Sequence, residues 1–432
     1  MKFYLYFILS VFSFQCAAQE ILTVEDAVSI ALKNNYDIKL SANDLAIDEQ
    51  NISLANAGLL PNVYGSFSQN NNIQYSKQVR TDGTVQERNN ARNNSLQYGV
   101  NVGWTIFDGF KMFARYDQLK TLKKLGETEL KLTVLNRVGY VMSTYFNIVQ
   151  QQQLLKALDT AIVISTQRVT TADNRFKIGK AAKLEVLNAQ VDLYTDQSNF
   201  LRQAEQYENT KTYLNELMAR DLLTKFIVVD SVTADSKLML ADLLSLAGTQ
   251  SPQIQIALIN KRVAELNLKQ VKSARYPQID VTTGYLFNSS ENSLGFARTN
   301  DSRGLNYGVS ATVNIFDGFL QRRNETIAKV QLESTDLIIK QQTQNINSQL
   351  ISSYQTYMTN LDLVALEAKN VEIAKQNLDI TMEKYRIGTI TTLEVRTAQL
   401  NYVNAVTRSS TAQYNAKISE VTLRQLAGNL TL

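Results

Sequence analysis

The chain has 432 residues, with only 3 prolines, 17 glycines and no histidine. The absence of histidine removes the commonest general base and the commonest metal ligand. No phosphate-binding or nucleophile motif is present either, so we expect no catalytic, cofactor-binding or metal-binding residues and no enzymatic activity. The net charge of +4 is small for this length and does not indicate a nucleic-acid partner. The scarcity of helix breakers instead predicts long helices.

The N-terminus has the pattern of a secretory signal. Lys2 precedes an apolar stretch from Phe3 to Phe14, which is too short to span a bilayer as a helix. Small residues follow at the cleavage positions, so we predict a signal peptide over residues 1–18 and a mature chain from Gln19. Lipidation of Cys16, the only cysteine, is an alternative that the sequence leaves open.

Two separated motifs recur at one spacing. The segment Ile106–Phe110 reads Ile-Phe-Asp-Gly-Phe and returns at Ile315–Phe319, 209 positions later. A second motif around Gly179 returns around Gly388, again 209 positions later. Chance similarities do not keep one register across separated motifs, so we predict an internal two-fold repeat. Its units are residues 19–230 and 231–432.

Each repeat is predicted to hold a helix, a β-hairpin, a very long helix and another helix. The ends of the helices are predicted where the apolar spacing stops and where a glycine or a proline follows. A helix of about 68 residues spans roughly 100 Å. In the first repeat the elements are a helix over about 23–57, a hairpin over 62–107 and helices over 109–178 and 182–218. In the second they are a helix from about Lys237, a hairpin over 278–316 and helices over 318–387 and 391–427.

The second strand of each hairpin alternates apolar and polar residues, with aromatic residues on the apolar side. This pattern is typical of a membrane-crossing strand of 9–11 residues, although a sheet packed on a soluble core alternates in the same way. Aromatic girdles and the lack of other sheet partners favour the membrane. The polar segments 76–93 and 289–303 are then expected to be loops outside the cell. The predicted lipid-facing residues are Leu96, Tyr98, Val100, Val102, Trp104, Ile106, Leu305, Tyr307, Val309, Val313 and Ile315.

Four strands cannot close a barrel, and open sheet edges are not tolerated in lipid. Eight strands from two copies would be filled by side chains, whereas twelve strands from three copies leave a lumen. We therefore predict a homotrimer with a shared twelve-stranded transmembrane β-barrel.

The long helices carry apolar residues at spacings of three and four, which predicts packed seams, and their other faces are rich in Gln and Asn. The fold class is mixed but mainly α, with a coiled-coil α-helical barrel.

The duplication, the Ile-Phe-Asp-Gly-Phe junctions and the paired glycine turns followed by an acid together resemble the outer membrane efflux (TolC-like) family. The resemblance covers essentially the whole mature chain. It implies an outer-membrane exit channel of a tripartite efflux or type I secretion system, with the helical barrel in the periplasm. It also implies a periplasmic adaptor (membrane fusion) protein, an inner-membrane transporter of the RND or ABC type and outer-membrane lipid as partners. A soluble secreted coiled-coil adaptor or adhesin, which would share the helices and the signal peptide, is the alternative.

Matched position by position, the resemblance also assigns roles. Tyr385, Glu185 and Glu394 correspond to residues that close or line the periplasmic entrance. Thr397 stands where some members have a second acid, and Ile390 where some have an arginine. A solvated acid in the first turn of a helix is the plain alternative for both glutamates. The turn residues implied to dock the adaptor are Gly179, Leu184, Gly388 and Leu393.

Overall fold

The computed structural model describes residues 20–229, 232–294 and 297–430. The predicted signal peptide and Cys16 lie outside the described residues. In chain order, the described elements are β1 (Glu20–Leu22), α1 (Val24–Asn34), α2 (Tyr36–Asn51), β2 (Asn62–Val79), β3 (Val85–Asp108), α3 (Lys111–Lys177), α4 (Lys183–Leu217), β4 (Phe226–Val228), α5 (Leu240–Gln250), α6 (Pro252–Ser273), β5 (Gln278–Asn292), β6 (Thr299–Thr312), α7 (Leu320–Ile387) and α8 (Thr392–Leu426).

The chain divides into two compact units. One comprises the described residues within 20–40, 132–251 and 345–430, and it holds the helix turns and the short parallel pair β1–β4. The other comprises Ser41–Lys131 and Pro252–Gln344, and it holds the large sheet. None of the helices in the described ranges has a segment long and apolar enough to cross a membrane.

The large sheet is antiparallel, with the strand order β2-β3-β5-β6. The two predicted hairpins are therefore not isolated, because β3 pairs with β5 from Asn93↔Asn292 to Asp108↔Gln278. The outer strands, β2 and β6, have no partner on their other side among the described strands. Each chain thus presents two unpaired sheet edges.

The predicted loops are much shorter in the structure. Strand β2 runs to Val79 and β3 starts at Val85, so most of segment 76–93 is paired strand around a tight turn. An ion pair of 2.5 Å between Lys77 and Glu87 links the two strands there. In the second hairpin, β5 and β6 likewise extend into the predicted loop 289–303. The polar composition of these segments was wrongly interpreted as loop, because a strand with water on both faces has no apolar alternation to reveal it.

Most apolar side chains of the sheet lie on one face, although Tyr64 and Leu286 lie on the other. Tyr98 lies opposite Phe287 and stacks on it, with ring centroids 5.0 Å apart, and Val100 lies opposite Tyr285. Cross-strand aromatic pairs of this kind stabilise a sheet by roughly 0.2–1 kcal/mol each. Of the predicted lipid-facing residues, Leu96, Tyr98, Val100, Val102, Trp104, Leu305, Tyr307 and Val309 fall on this face.

Three of the predicted lipid-facing positions need correction. Ile106 falls in a bulge and has no cross-strand partner, and Phe107 pairs with Ile279 instead. Val313 and Ile315 lie beyond β6, which ends at Thr312. Strand β6 ends there because its partner β5 begins at Gln278, directly after a proline that cannot donate to the ladder.

The predicted first helix is also wrong in its extent. It is divided into α1 and α2 at Asn35, a buried residue whose side-chain oxygen accepts hydrogen bonds from the backbone N–H groups of Asp37 and Ile38. Asn35 thus starts a new helix. Helix α2 ends at Asn51, and a turn closed by Gly58, with φ of 84°, fills the predicted remainder. The matching segment of the second repeat is divided by Ser251 and Pro252.

The Ile-Phe-Asp-Gly-Phe motifs lie where the sheet meets the long helices. Asp108 accepts a hydrogen bond from the backbone N–H of Met112 at 3.1 Å, and Asp317 accepts one from Gln321 at 2.8 Å. Each aspartate satisfies a free N–H in the first turn of α3 or α7 and complements the helix dipole. The following Gly109 and Gly318 have φ of 70° and 66°, which favours glycine.

Candidate functional site

The two glycine turns terminate the long helices in the same way. Gly179 follows α3 with φ of 73°, and Gly388 follows α7 with φ of 90°. The next residue in each turn donates back to a carbonyl of the last helical turn, Lys180 to Arg175 and Thr389 to Lys384. This is the left-handed helix end that glycine adopts without strain. Leu184 and Leu393, just beyond the turns, are exposed.

Beside these turns, the ends of α3 and α7 and the start of α4 are joined by three side chains. Tyr385 on α7 is only 1% exposed, and its hydroxyl donates to Glu185 Oε1 on α4 at 3.3 Å. The guanidinium of Arg175 on α3 lies 4.4 Å from the centre of the Tyr385 ring and also donates to the Tyr385 carbonyl. Arg175 is 3.8 Å from Glu185. We call Arg175, Glu185 and Tyr385 the tip cluster.

The tip cluster keeps its tyrosine protonated. Burial raises the pKa of Tyr385 above its usual value of 10, and the nearby negative charge of Glu185 raises it further. Arg175 partly opposes this effect on the pKa. The hydroxyl therefore stays a hydrogen-bond donor to Glu185 throughout the physiological pH range. The cluster can hold the end of α7 against α3 and α4.

Glu394 has different surroundings from Glu185. Its carboxylate accepts hydrogen bonds from the backbone N–H and the hydroxyl of Thr391, while Thr391 in turn accepts from the backbone of Glu394. This reciprocal capping box starts α8. The side chain is exposed. The capping role that the sequence left as an alternative is therefore present in the structure, and a position for Glu394 around a pore stays a prediction. The hydroxyl of Thr397 donates to the Leu393 carbonyl within the helix.

A second polar cluster lies farther along α3, α4 and α8. Asp196 accepts from the guanidinium of Arg396 at 2.7 and 2.9 Å, and it also accepts from the side chains of Ser165 and Gln399. Arg168, 1% exposed, donates to Asp192 at 2.9 Å and to the Thr392 hydroxyl at 2.8 Å. Two cations face two carboxylates, so the group is balanced in charge. We call the residues that share these contacts the buried network; they are Ser165, Arg168, Asp192, Asp196, Thr392, Arg396 and Gln399.

Neither Arg175 nor the buried network was predicted from the sequence. The sequence did contain an indication of the network, because Asp192 and Asp196 are four residues apart and therefore share one face of a helix. Arg168 likewise falls in the apolar seam of α3, where a charged side chain requires a partner. Its partner in α8 could not be identified from the sequence, since Arg168 and Thr392 are 224 residues apart.

Comparison with known proteins places the chain among bacterial efflux proteins. It is 20% identical to the outer membrane efflux protein BepC of Brucella suis over 419 residues, covering 96% of this chain and 87% of that protein. It is also 20% identical to the outer membrane protein TolC of Escherichia coli, covering 98% of this chain and 85% of that protein. The crystal structure of the CmeC outer membrane channel of Campylobacter jejuni has the same fold, with a TM-score of 0.79 at 20% identity, covering 94% of this chain and 85% of that one.

The family model described as "Outer membrane efflux protein" matches residues 27–220 and 243–429. These two stretches fall in the two predicted repeats and together span most of the chain. The match confirms the resemblance drawn from the sequence motifs, and the mainly helical fold with four antiparallel strands is the one expected. The chain therefore belongs to the outer membrane efflux protein family, whose members are channels of the outer membrane and not enzymes.

Proposed function

We propose that three copies of this chain form an exit channel that a periplasmic adaptor connects to an inner-membrane transporter of the RND or ABC type. TolC-like channels form trimers. The observation that carries the proposal for this chain is the four-stranded sheet with two unpaired edges and one apolar face. Such a sheet requires further strands at both edges before it can lie in lipid. A soluble adaptor or adhesin has no need of this arrangement.

The trimer can be tested on purified protein. We expect native mass measurement in detergent to give three copies, and the trimer to conduct ions in planar bilayers. A strain lacking the gene should become more sensitive to toxic compounds that its pumps export, and the intact gene should restore resistance. A stable monomer or dimer without conductance would contradict the proposal.

For the helix turns we propose two roles. The exposed tips Gly179, Leu184, Gly388 and Leu393 contact the adaptor, and the tip cluster holds the entrance closed. The support for the second role is that Arg175, Glu185 and Tyr385 tie the last turn of α7 to two other helices. Glu394, exposed at the start of α8, is proposed to add negative charge around the entrance.

A bulky residue at Gly388 should abolish efflux while leaving trimers intact. Its φ of 90° is strained for any other residue, by roughly 1–3 kcal/mol, and an added Cβ would lie 3.3 Å from the Arg175 guanidinium. We expect Gly388→Val to distort the turn and the tip cluster together. Two quantities are measured: the drug resistance of deletion cells that carry the variant gene, and the yield of trimers in detergent.

Gly248→Val is the matched control, because Gly248 lies inside a helix and a Cβ added there would meet no atom within 4 Å beyond its own stretch of helix. It should support normal resistance. If Gly388→Val cells also resist drugs normally, the turn is not part of the docking and closing apparatus.

A further inference from the structure

Two phenylalanines have a backbone conformation that bulky residues rarely adopt. Phe110 has φ of 68° and Phe319 has φ of 65°, and each directly follows a glycine that is also left-handed. In this region the Cβ of a phenylalanine lies too close to a backbone carbonyl oxygen, so the residue is strained where glycine would not be. Phe319 follows Phe110 at the spacing of the repeat, 209 positions. The same strain is therefore present in both repeats.

Crowding by neighbouring residues does not explain the strain. A Cβ added to Gly109 would overlap the Ser273 carbonyl oxygen, whereas a Cβ added to Gly318 would have no atom within 4 Å. The two turns have the same conformation in crowded and in open surroundings, so the turn itself requires it. Glycine would fit this conformation without strain. Strained residues are typical of functional sites, and a phenylalanine in both turns indicates a function of the ring.

The ring of Phe110 continues the apolar face of the sheet. Phe107 pairs with Ile279 on the same face as Trp104, and it lies edge-on to Phe110 with ring centroids 5.2 Å apart. The ring of Tyr276 is on another side of Phe110, at 6.5 Å. Phe110 is nevertheless 60% exposed. Its ring thus lies at the end of the apolar face from which α3 leaves the sheet.

Phe319 has the corresponding position at the start of α7. Its ring lies edge-on to Phe316 with centroids 5.5 Å apart, and it is 67% exposed. The neighbouring Ile315 is 94% exposed. Clusters of exposed large apolar side chains mark an interaction surface, and aromatic rings are enriched where the hydrocarbon of a bilayer meets the headgroups.

We propose that Phe110 and Phe319 anchor the channel in the outer membrane, with both rings inserted among the phospholipids of the leaflet nearer the long helices. We call these two residues the anchor residues. Their partner is phospholipid, because their rings extend the apolar face that the proposed channel turns to lipid. Burial of each ring in lipid offsets the strain of its backbone. The inference rests on the proposed channel and adds the residues that set its depth in the membrane.

Tryptophan at each anchor position tests its surroundings. Trp104 is the only tryptophan, so Phe110→Trp or Phe319→Trp is combined with Trp104→Phe. In vesicles of phospholipid brominated near the headgroup, we expect blue-shifted emission and a large loss of fluorescence from both. Tyr36→Trp in the same background is the matched control and should not be quenched, because Tyr36 is 70% exposed on α2, outside the sheet. The proposal fails if either anchor position is quenched no more than the control.

The depth of Trp104 itself provides a second test. Phe110→Gly with Phe319→Gly relaxes both turns but shortens the apolar surface, so the headgroup region should move toward Trp104. Bromines near the headgroup should then quench Trp104 more, relative to bromines near the chain ends, than in the unchanged protein. Ala219→Gly is the control, since Ala219 is also left-handed, with φ of 48°, but lies in the other compact unit. An equal quenching ratio in all three proteins would contradict the anchoring role.

Native mass measurement and conductance of the same samples separate this inference from the proposed channel. Conducting trimers whose tryptophans at the anchor positions stay unquenched would overturn the anchors and leave the channel standing. Emission that is blue-shifted but unquenched would overturn them as well, because protein and not lipid would then cover the rings. Conducting trimers with quenched tryptophans at both positions are the result we expect.

Discussion

Channels carrying Arg175→Ala are expected to be open in planar bilayers far more often than the unchanged protein. The guanidinium donates to the Tyr385 carbonyl, lies over the Tyr385 ring and is close to Glu185. Hydrogen bonds to charged groups contribute about 1.5–3 kcal/mol, and about 1.4 kcal/mol changes an equilibrium tenfold. If these contacts exist only in the closed state, their loss should raise the open population about tenfold or more.

Two further variants make this result specific. Tyr385→Phe removes the hydroxyl bond to Glu185 but keeps the ring beneath Arg175, so its effect should be smaller. Glu394→Gln alters an acid whose contacts lie within its own capping box, so it should change ion selectivity through the lost charge but leave the fraction of closed channels unchanged. Equal conductance for Arg175→Ala and the unchanged protein would mean that the tip cluster does not hold the entrance closed.

Asp196→Ala is expected to destabilise the helical unit by about 3 kcal/mol or more. The substitution leaves Arg396, Ser165 and Gln399 without their shared acceptor in a place that water reaches poorly. Breaking a buried ion pair from one side costs about 3–5 kcal/mol, because the remaining charge keeps its desolvation penalty. The measurement is the thermal unfolding of the helices followed by circular dichroism in detergent.

Asp159→Ala serves as the control, since it removes an exposed aspartate from the same helix bundle. Surface substitutions of this kind usually change stability by less than about 0.5 kcal/mol. Asp196→Asn keeps a side-chain oxygen for Ser165 and Gln399 and should fall between the two. An unfolding temperature of Asp196→Ala equal to that of Asp159→Ala would show that the buried network does not stabilise the unit.

The sequence predicted the elements that depend on local patterns. The helix ends at Gly179 and Gly388 follow from glycine next to a loss of apolar spacing, and the structure has α3 and α7 ending within two residues of them. The break at Asn35 was missed, because the apolar spacing continues across it and only the side-chain cap reveals the new helix. Strand pairs such as Lys77 and Glu87 were missed because strands with water on both faces lack alternation.

In the candidate site, too, the residues in local motifs were predicted and the residues defined by tertiary contacts were not. Tyr385, Glu185 and Glu394 were found through motif positions relative to a glycine. Arg175 was not, although its backbone position beside the turn is equally local, because an arginine near a helix end is common and its ring contact is a tertiary property. The buried network joins residues from three helices, and a single sequence does not show which charged residues are in contact in the folded chain.

The two unpaired edges of the sheet constrain how the protein reaches the membrane. A single copy entering hydrocarbon would carry free N–H and C=O groups along both β2 and β6, and each such group costs several kcal/mol without water. In water, the same edges are templates for uncontrolled strand addition. For the trimer proposed above, we expect biogenesis to shield the edges during transit across the periplasm and to bring the copies together no later than insertion, so that the oligomer and not the single chain enters the outer membrane.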